Sequence, residues 1–448
     1  MLLSSAARDL NAELSGGDVR FTGCSADSRK LKPGQMFIAL RGHHFDGHDF
    51  IPSAKQCGAA AAMVDRVSGV SMPLLRVHDT RLAMGRLAGL WRTGFDLRIA
   101  AVTGSNGKTT VKEMLASILS LQAPVLATQG NLNNDIGVPL TLFNIGAEHR
   151  YAVIEIGANH PGEITYLSQI VRPEVAVITQ CAPAHLEGFG TIAGVAKAKA
   201  EIYEGLSQNG VAIINADDAF AAFWQELAKG RRQLSFGFTS QADVTAADIR
   251  MDSAGGSSRF WIKTGTGDIE IDLPLPGRHN IQNALAATAC ALALDIPKPV
   301  IQEGLARVRA SKGRLQMKRG RTGALIIDDT YNANPASLEA ALNLAAMRGG
   351  RRWLVLGDMG ELGVQAGNMH TVAGERAREL GFERLYALGP LSGKAVAGFG
   401  SGARHFADAD SLTETLLQEL ANGVTVLIKG SRAMAMERIV QALAEEQS

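Results

Sequence analysis

Residues 97–113 read LRIAAVTGSNGKTTVKE, and this stretch decides the fold. An apolar, β-branched run leads into a glycine-bounded turn, and Lys-Thr-Thr then opens a helical pattern. Strand, tight loop and helix start in that order make a phosphate cradle. The N–H groups of the turn and the positive end of the helix dipole converge on one point. Gly104, Ser105, Asn106, Gly107, Lys108, Thr109 and Thr110 form the loop. Lys108 is placed to reach the outer phosphates of a nucleotide, and the Thr109 hydroxyl to hold Mg²⁺. The loop is a variant, because Val102 stands where the usual first glycine would be and Gly104 and Gly107 carry the turn. A chance glycine-lysine turn is the alternative, and the flanking strand and helix weigh against it. The loop implies chemistry on a nucleotide phosphate.

Outward from the loop the same alternation continues. AAVTG (100–104), YAVIEIG (151–157), VAVITQ (175–180) and GVAIINADD (210–218) are continuous apolar runs, as expected of strands buried on both faces of a parallel sheet. Helical stretches separate most of them, which is the βαβ rhythm. Residues 233–275 break it with shorter alternating segments that predict an antiparallel extension. Before the loop, MFIAL (36–40) and AAMV (61–64) belong to a small α/β unit. After Ser311, ALIIDDT, RRWLVLGD, RLYALG and GVTVLIKG read as strands, with ASLEAALNLAAM and AMAMERIVQALAEE as helices, giving a second doubly wound unit. The expected fold is therefore α/β in three domains: an N-terminal α/β substrate domain at 1–95, a central P-loop-type, mostly parallel sheet at 96–310, and a Rossmann-like domain at 311–448.

A chain of 448 residues suits about three domains, and 46% hydrophobic with 20% charged residues describes a globular protein. A net charge of +1 offers no basic field for nucleic acid. Cys24, Cys57, Cys181 and Cys290 are isolated, and read as buried apolar groups or free thiols of a reducing compartment. Arg8 and Asp9 interrupt the opening MLLSSAARDLNAEL, so no signal peptide is expected. The apolar stretch ALAATACALALDI (284–296) is too short to span a bilayer. A cytoplasmic protein without a membrane span is expected.

Polar residues of interest fall at predicted strand ends, where open α/β sheets bind ligands. Glu155 sits late in an apolar strand that tolerates a carboxylate poorly. A buried pair with an arginine would explain it, but beside a P-loop strand a Mg²⁺ contact explains it better. His185 lies in CAPAHLEGFG, a loop leaving the same edge. Alone it reads as a satisfied loop histidine; beside Glu155 and Thr109 it is a second candidate metal ligand. GNLNNDIGVP (130–139) holds three asparagines, among them Asn131 and Asn134, a density that suits a polar sugar or peptide as well as a plain turn. Asn280 in PGRHNIQNALAA falls at a predicted N-cap region. Asp328 and Asp329 end the strand IIDD, where a ribose diol is a common partner and an exposed turn the alternative. His43, His44 and His48 lie in a glycine-rich loop without an acidic or cysteine set, and hydrogen bonding is expected of them before metal binding.

Together TGSNGKTT, EIGANHPGEI, AHLEGFG, AKAKAEI, PGRHNIQNALA, GRLQ, DDTYNANP, LGDMGELG and IKGSRAMAMERI resemble the Mur ligases, in consistent order over nearly the whole chain. DDTYNANP, LGDMGELG and the opening SADSRKLKPGQMFIALRGHHFDGHDF are most similar to the members that join D-alanyl-D-alanine to UDP-N-acetylmuramoyl-tripeptide. The resemblance implies an ATP-dependent ligase of peptidoglycan synthesis working through an acyl phosphate, with those two small molecules as partners and a monomeric state. It also implies residue roles. Thr109 and Glu155 would hold one Mg²⁺; His185 and Lys199 would hold a second, with Lys199 carbamylated. Without the resemblance, Lys197 and Lys199 read as an exposed helix face. Asn280 would contact adenine, Asp329 the ribose and Arg314 the γ-phosphate. Ser28 and Arg29 would lie at the uridine nucleotide, and Lys429 and Ser431 would face the dipeptide. Gln180 and Ala200 depart from the family pattern, where asparagine and glycine are more usual.

The competing readings are a related ligase that adds the third amino acid, a folylpolyglutamate synthetase, and a non-enzymatic nucleotide switch. The first carries an Asn-Pro-Arg signature absent here. The second would lack the uridine-type opening, and the third needs no third α/β unit.

Overall fold

A computed structural model describes residues 1–42, 44–66, 69–252 and 256–445. The strand Arg98–Thr103 has every residue buried except its first, because helices cover both faces of the sheet it enters. It lies inside a nine-stranded sheet. In spatial order the strands are Ile269–Leu273, Ser258–Thr264, Val244–Met251, Arg232–Gly237, Val211–Asn215, Val175–Ile178, Arg98–Thr103, Tyr151–Glu155 and Val125–Ala127. From Val125–Ala127 across to Val244–Met251 every pairing is parallel; the last two pairings are antiparallel. The antiparallel extension expected over 233–275 thus starts two strands later than the pattern suggested, at Ser258–Thr264. Arg232–Gly237 follows Val211–Asn215 through the helix Ala221–Leu227, and a helical crossover returns the chain parallel.

The N-terminal sheet has five strands, in the order Glu13–Ser15, Leu74–Arg76, Ala61–Val64, Met36–Ile38 and Cys24–Ser25, and only the first is antiparallel to its neighbour. The C-terminal sheet has six, in the order Gln316–Arg319, Leu325–Asp329, Val424–Lys429, Arg351–Gly357, Arg384–Leu388 and Ala403–Phe406. Four were legible as apolar runs. The two edge strands, QMKR and ARHF, are short and largely polar because each is paired on one side only. The helical pattern over 433–446 resolves into a short 3₁₀ turn, Arg432–Met434, and the helix Glu437–Leu443. The chain is a three-domain α/β protein, and no described helix is long and apolar enough to cross a membrane.

One continuous core joins the first sheet to one face of the central sheet. Trp91, on the helix Thr80–Thr93, stacks on Phe21 at 6.0 Å and meets Phe143 edge-on at 6.3 Å. Helices Lys108–Ser120 and Arg278–Ala293 cover the opposite face. The third domain has separate cores on its two faces. Register aligns the functional strand ends: Val102 faces Glu155 on one side and Val177 on the other. The phosphate loop, Glu155 and the loop after Ile178 therefore leave the sheet at one edge.

Candidate active site

Two glycines are sterically required in the phosphate loop. Gly104 has φ +148°, and a Cβ there would lie 1.8 Å from Thr179 Oγ1. Gly107 has φ +81° and caps the helix Lys108–Ser120; its Cβ would lie 2.4 Å from Asn283 Oδ1. Ser105 ties the loop to the neighbouring strand end, donating from its backbone to Gln180 O at 2.8 Å and from its hydroxyl to Ala182 O at 3.0 Å. Lys108 Nζ donates to Gly104 O at 2.7 Å. Burial lowers the Lys108 pKa, Glu155 opposes that shift, and Arg314 adds to it.

Thr109 is the meeting point of two domains. Its hydroxyl donates to Glu155 Oε2 at 2.8 Å and accepts from Arg314 Nη2 at 2.9 Å. Glu155 is 1% exposed, and its other oxygen accepts from Asn133 Nδ2 at 2.7 Å. The Arg314 guanidinium stacks over the Tyr331 ring at 4.1 Å, which holds its plane. A second link comes from Asn334. It caps the helix Pro335–Ala346 by accepting from Ser337 N at 2.9 Å, which leaves its amide nitrogen to donate to Asn106 Oδ1 at 2.7 Å.

Lys199 is 2% exposed, whereas Lys197 two residues earlier is exposed. The reading of a solvated face therefore holds for Lys197 and is corrected for Lys199, which is buried on the helix Ile192–Ala200. Burial first, and then the nearby charge of Lys108, push its pKa down to about 7. It forms no hydrogen bond or ion pair among the described residues. His185 adopts a left-handed backbone, φ +53°, and its Nδ1 meets the carboxylate of Glu361 from the third domain. Asn280 stands within the first turn of Arg278–Ala293 rather than at its N-cap, which is Gly277, and donates to Pro276 O at 2.7 Å. Next to it, His279 has a buried Nε2 without a partner, and burial pushes its pKa down to about 4.

Asp329 and Lys429 form a buried ion pair. Lys429 Nζ donates to Asp329 Oδ2 and, at 2.8 Å, to Asn332 O; Asp329 Oδ1 also accepts from Leu315 N at 3.2 Å. Their strands are in register, residue to residue.

Lys108, Glu155, His185, Lys199 and Arg314 all line one cavity of about 1380 Å³, as do Thr110, Asn131, Asn134, Asn280, Asp329 and Lys429. This exceeds the ~300–1,000 Å³ of a site for one small molecule, and leaves room for a nucleotide and a second substrate. Ser28, Arg29 and Ser431 do not line it. Ser28 is buried, Arg29 extends into solvent paired with Asp27, and the Ser431 backbone donates to Asp358 O at 2.9 Å. Asn133, Asn283, His279, Asn334 and Glu361 are site residues that the sequence argument did not single out. Asn283 was within reach of it, lying one helical turn from Asn280 on the same face. His43 lies outside the described residues. His48 hydrogen-bonds through both ring nitrogens, to Asp46 Oδ1 at 2.6 Å and Asp65 N at 3.3 Å.

Among the described residues no three or more His, Cys, Asp or Glu side chains gather as a metal cage. That suits Mg²⁺, which takes one or two carboxylates and completes its shell with phosphates and water. The buried Glu155 carboxylate beside the Thr109 hydroxyl fits one such ion. At the second position, His185 fits as a ligand, and an unmodified Lys199 ammonium does not.

Three family models match in succession: the Mur ligase family, catalytic domain at residues 20–92, the Mur ligase middle domain at 102–291, and the Mur ligase, glutamate ligase domain at 313–432. UDP-N-acetylmuramoyl-tripeptide--D-alanyl-D-alanine ligase of Escherichia coli (strain K12) is 46% identical over 99% of this chain and 98% of its own length. A crystal structure of MurF from Acinetobacter baumannii superposes with a TM-score of 0.91 at 38% identity, covering 98% of this chain and 97% of that one. MurF ligase from Thermotoga maritima in complex with ADP gives 0.83 at 28%, covering 94% and 96%. With all three modules matched in order and this identity maintained end to end, the chain belongs to the Mur ligase family.

Proposed function

We propose that this protein is an ATP-dependent ligase that joins D-alanyl-D-alanine to UDP-N-acetylmuramoyl-tripeptide, giving ADP, phosphate and UDP-N-acetylmuramoyl-pentapeptide for peptidoglycan synthesis. The observation that carries the reading is the convergence at Thr109. Arg314 of the third domain reaches the phosphate loop of the second, so two cations, Lys108 and Arg314, frame one point in a cavity large enough for both substrates. The 46% identity to the E. coli ligase supports the choice of substrates.

The terminal carboxylate of the tripeptide attacks the γ-phosphorus of ATP, and ADP leaves. The amine of D-alanyl-D-alanine then attacks the acyl-phosphate carbonyl carbon; phosphate leaves and the amine loses its proton. The first step brings two anions together. Lys108 and Arg314 offset that repulsion and the charge developing on the transferred group. Asn280 is assigned to adenine, and Ser28, Arg29, Asn131 and Asn134 to the UDP-tripeptide. Asp329 is assigned to the ribose, and Lys429 and Ser431 to the dipeptide. The third domain excludes water that would hydrolyse the acyl phosphate.

Mg²⁺ held by Thr109 and Glu155, and a second ion at His185 and Lys199, would supply charge neutralisation at the phosphates. A Lys199 amine lowered to about 7 is partly neutral near neutral pH. Its lone pair can therefore attack CO₂, forming an N–C bond and releasing one proton, and the resulting carbamate is an oxygen ligand where an ammonium is not. The reading divides the chain at 1–95, 96–310 and 311–448 into UDP-substrate, ATP and ligase domains, acting as a cytoplasmic monomer. Its test is phosphate release assayed with each substrate omitted in turn. The reading requires both UDP-tripeptide and D-alanyl-D-alanine; release with ATP alone at the full rate overturns it.

A further inference from the structure

Which end of an amide faces which neighbour is decided by its partners, and at Asn334 a helix decides it. As the cap of Pro335–Ala346, Asn334 commits its Oδ1 to Ser337 N at 2.9 Å. The end turned to the phosphate loop is therefore Nδ2, which donates to Asn106 Oδ1 at 2.7 Å. Asn106 must then turn its own Nδ2 away from Asn334. That nitrogen is buried and has no hydrogen-bond partner among the described residues. The Asn106 backbone is held separately, its carbonyl accepting from Thr179 Oγ1, so the path of the loop does not depend on the amide. A second unpaired donor comes from the third domain. Arg314, whose Nη2 reaches Thr109 in the same loop, has a buried Nε without a partner. Both residues line the cavity. Buried donors left unmade are unfavourable, and an oxygen anion beside them removes the penalty.

We propose that Asn334 is a positioning residue that acts across the domain boundary, turning the Asn106 amide so that its Nδ2 donates to a terminal-phosphate oxygen of the nucleotide. The inference rests on the reading of residues 104–110 as the phosphate loop. An amide free to rotate presents its oxygen as readily as its nitrogen, and that oxygen repels a phosphate. With Asn334 docked, only the donor is presented. Binding of the terminal phosphate and docking of the third domain are then linked, each strengthening the other by the same factor. The inner phosphates do not share this dependence, because the N–H groups of the loop and of the helix Lys108–Ser120 belong to the central domain.

The test titrates the full chain by calorimetry with ADP and with a non-hydrolysable ATP analogue, which differ in the terminal phosphate. Asn334→Ser and Asn334→Asp both keep a capping oxygen for Ser337 N, so the melting temperature stays at the wild-type value. Neither donates to Asn106. Serine is too short, and the aspartate oxygen instead accepts from Asn106 Nδ2, taking it from the phosphate. Both variants keep wild-type affinity for ADP and bind the analogue about tenfold or more weakly. In an Asn106→Ala background neither substitution weakens the analogue further. A contact that merely docked the domain would survive in Asn334→Asp, so wild-type affinity for the analogue in that variant overturns the proposal. A loss in Asn334→Asp that persists in the Asn106→Ala background overturns it too, because the added charge would then be the cause. If Lys108→Ala binds the analogue as wild type does, the reading of the loop fails first and the proposal with it.

Discussion

Removing the Asp329 carboxylate should loosen the third domain by an amount that the geometry sets. Lys429 is 2% exposed and Asp329 8%, so the pair lies in low dielectric with little solvent screening. Breaking a buried pair by deleting one partner typically costs about 3–5 kcal/mol, because the remaining charge is stranded. Asn332 O still accepts from Lys429 at 2.8 Å, which favours the lower end of that range. Leu315 N loses its acceptor as well, adding up to about 1 kcal/mol. Asp329→Ala should therefore cost about 3–4 kcal/mol, or about 10²–10³ in the local opening equilibrium. Hydrogen exchange read by mass spectrometry over the paired strands Leu325–Asp329 and Val424–Lys429 measures that opening directly. Adding Lys429→Met should recover most of the loss, since it removes the stranded charge and keeps an apolar stem. Unchanged exchange in Asp329→Ala, or no recovery in the double variant, refutes the reasoning.

Other outcomes follow from the same geometry. Lys108→Ala should lower turnover by about 10³-fold or more with an unaltered melting temperature, since its ammonium holds only Gly104 O in the structure; loss of activity only through unfolding would count against it. Gly104→Ala should abolish ADP binding by calorimetry, because the new Cβ falls 1.8 Å from Thr179 Oγ1 and 3.1 Å from Thr179 N, and wild-type affinity would show that the loop yields. Lys199→Ala should be inactive and partly rescued by acetate, whereas full activity without additive would remove the carbamate from the site. A fragment ending near Arg309 should bind UDP-tripeptide and make no product, since it keeps the core shared by the first two domains but lacks Arg314 and Asn334; ligation by that fragment would refute the division of labour.

The central strand and its loop were legible because the information is local: a buried run, two glycines and Lys108 lie within a dozen residues of one another. The third sheet was legible in its four apolar strands and illegible at Gln316–Arg319 and Ala403–Phe406, whose edge positions let polar residues stand. Site residues divide the same way. Glu155 announces itself as a carboxylate in an apolar strand. Asn334 reads locally as a helix cap, and only the folded chain brings its amide to Asn106, 228 residues away in sequence. Glu361 carries no local signal, because its contact with His185 crosses a domain boundary. Lys199 looked like part of a solvated face because charged residues alternate with alanines there, and the helix phase that buries one and exposes the other depends on what packs against it.

The acyl-phosphate route through this cavity is tested most directly by oxygen transfer. UDP-tripeptide carrying ¹⁸O in both oxygens of its terminal carboxylate is turned over with ATP and D-alanyl-D-alanine, and the released phosphate is weighed by mass spectrometry. Attack of that carboxylate on the γ-phosphorus predicts one ¹⁸O in each phosphate formed. Labelled AMP with unlabelled pyrophosphate, in place of labelled phosphate, would contradict the account, because activation would then occur at the α-phosphorus, away from Lys108 and Arg314.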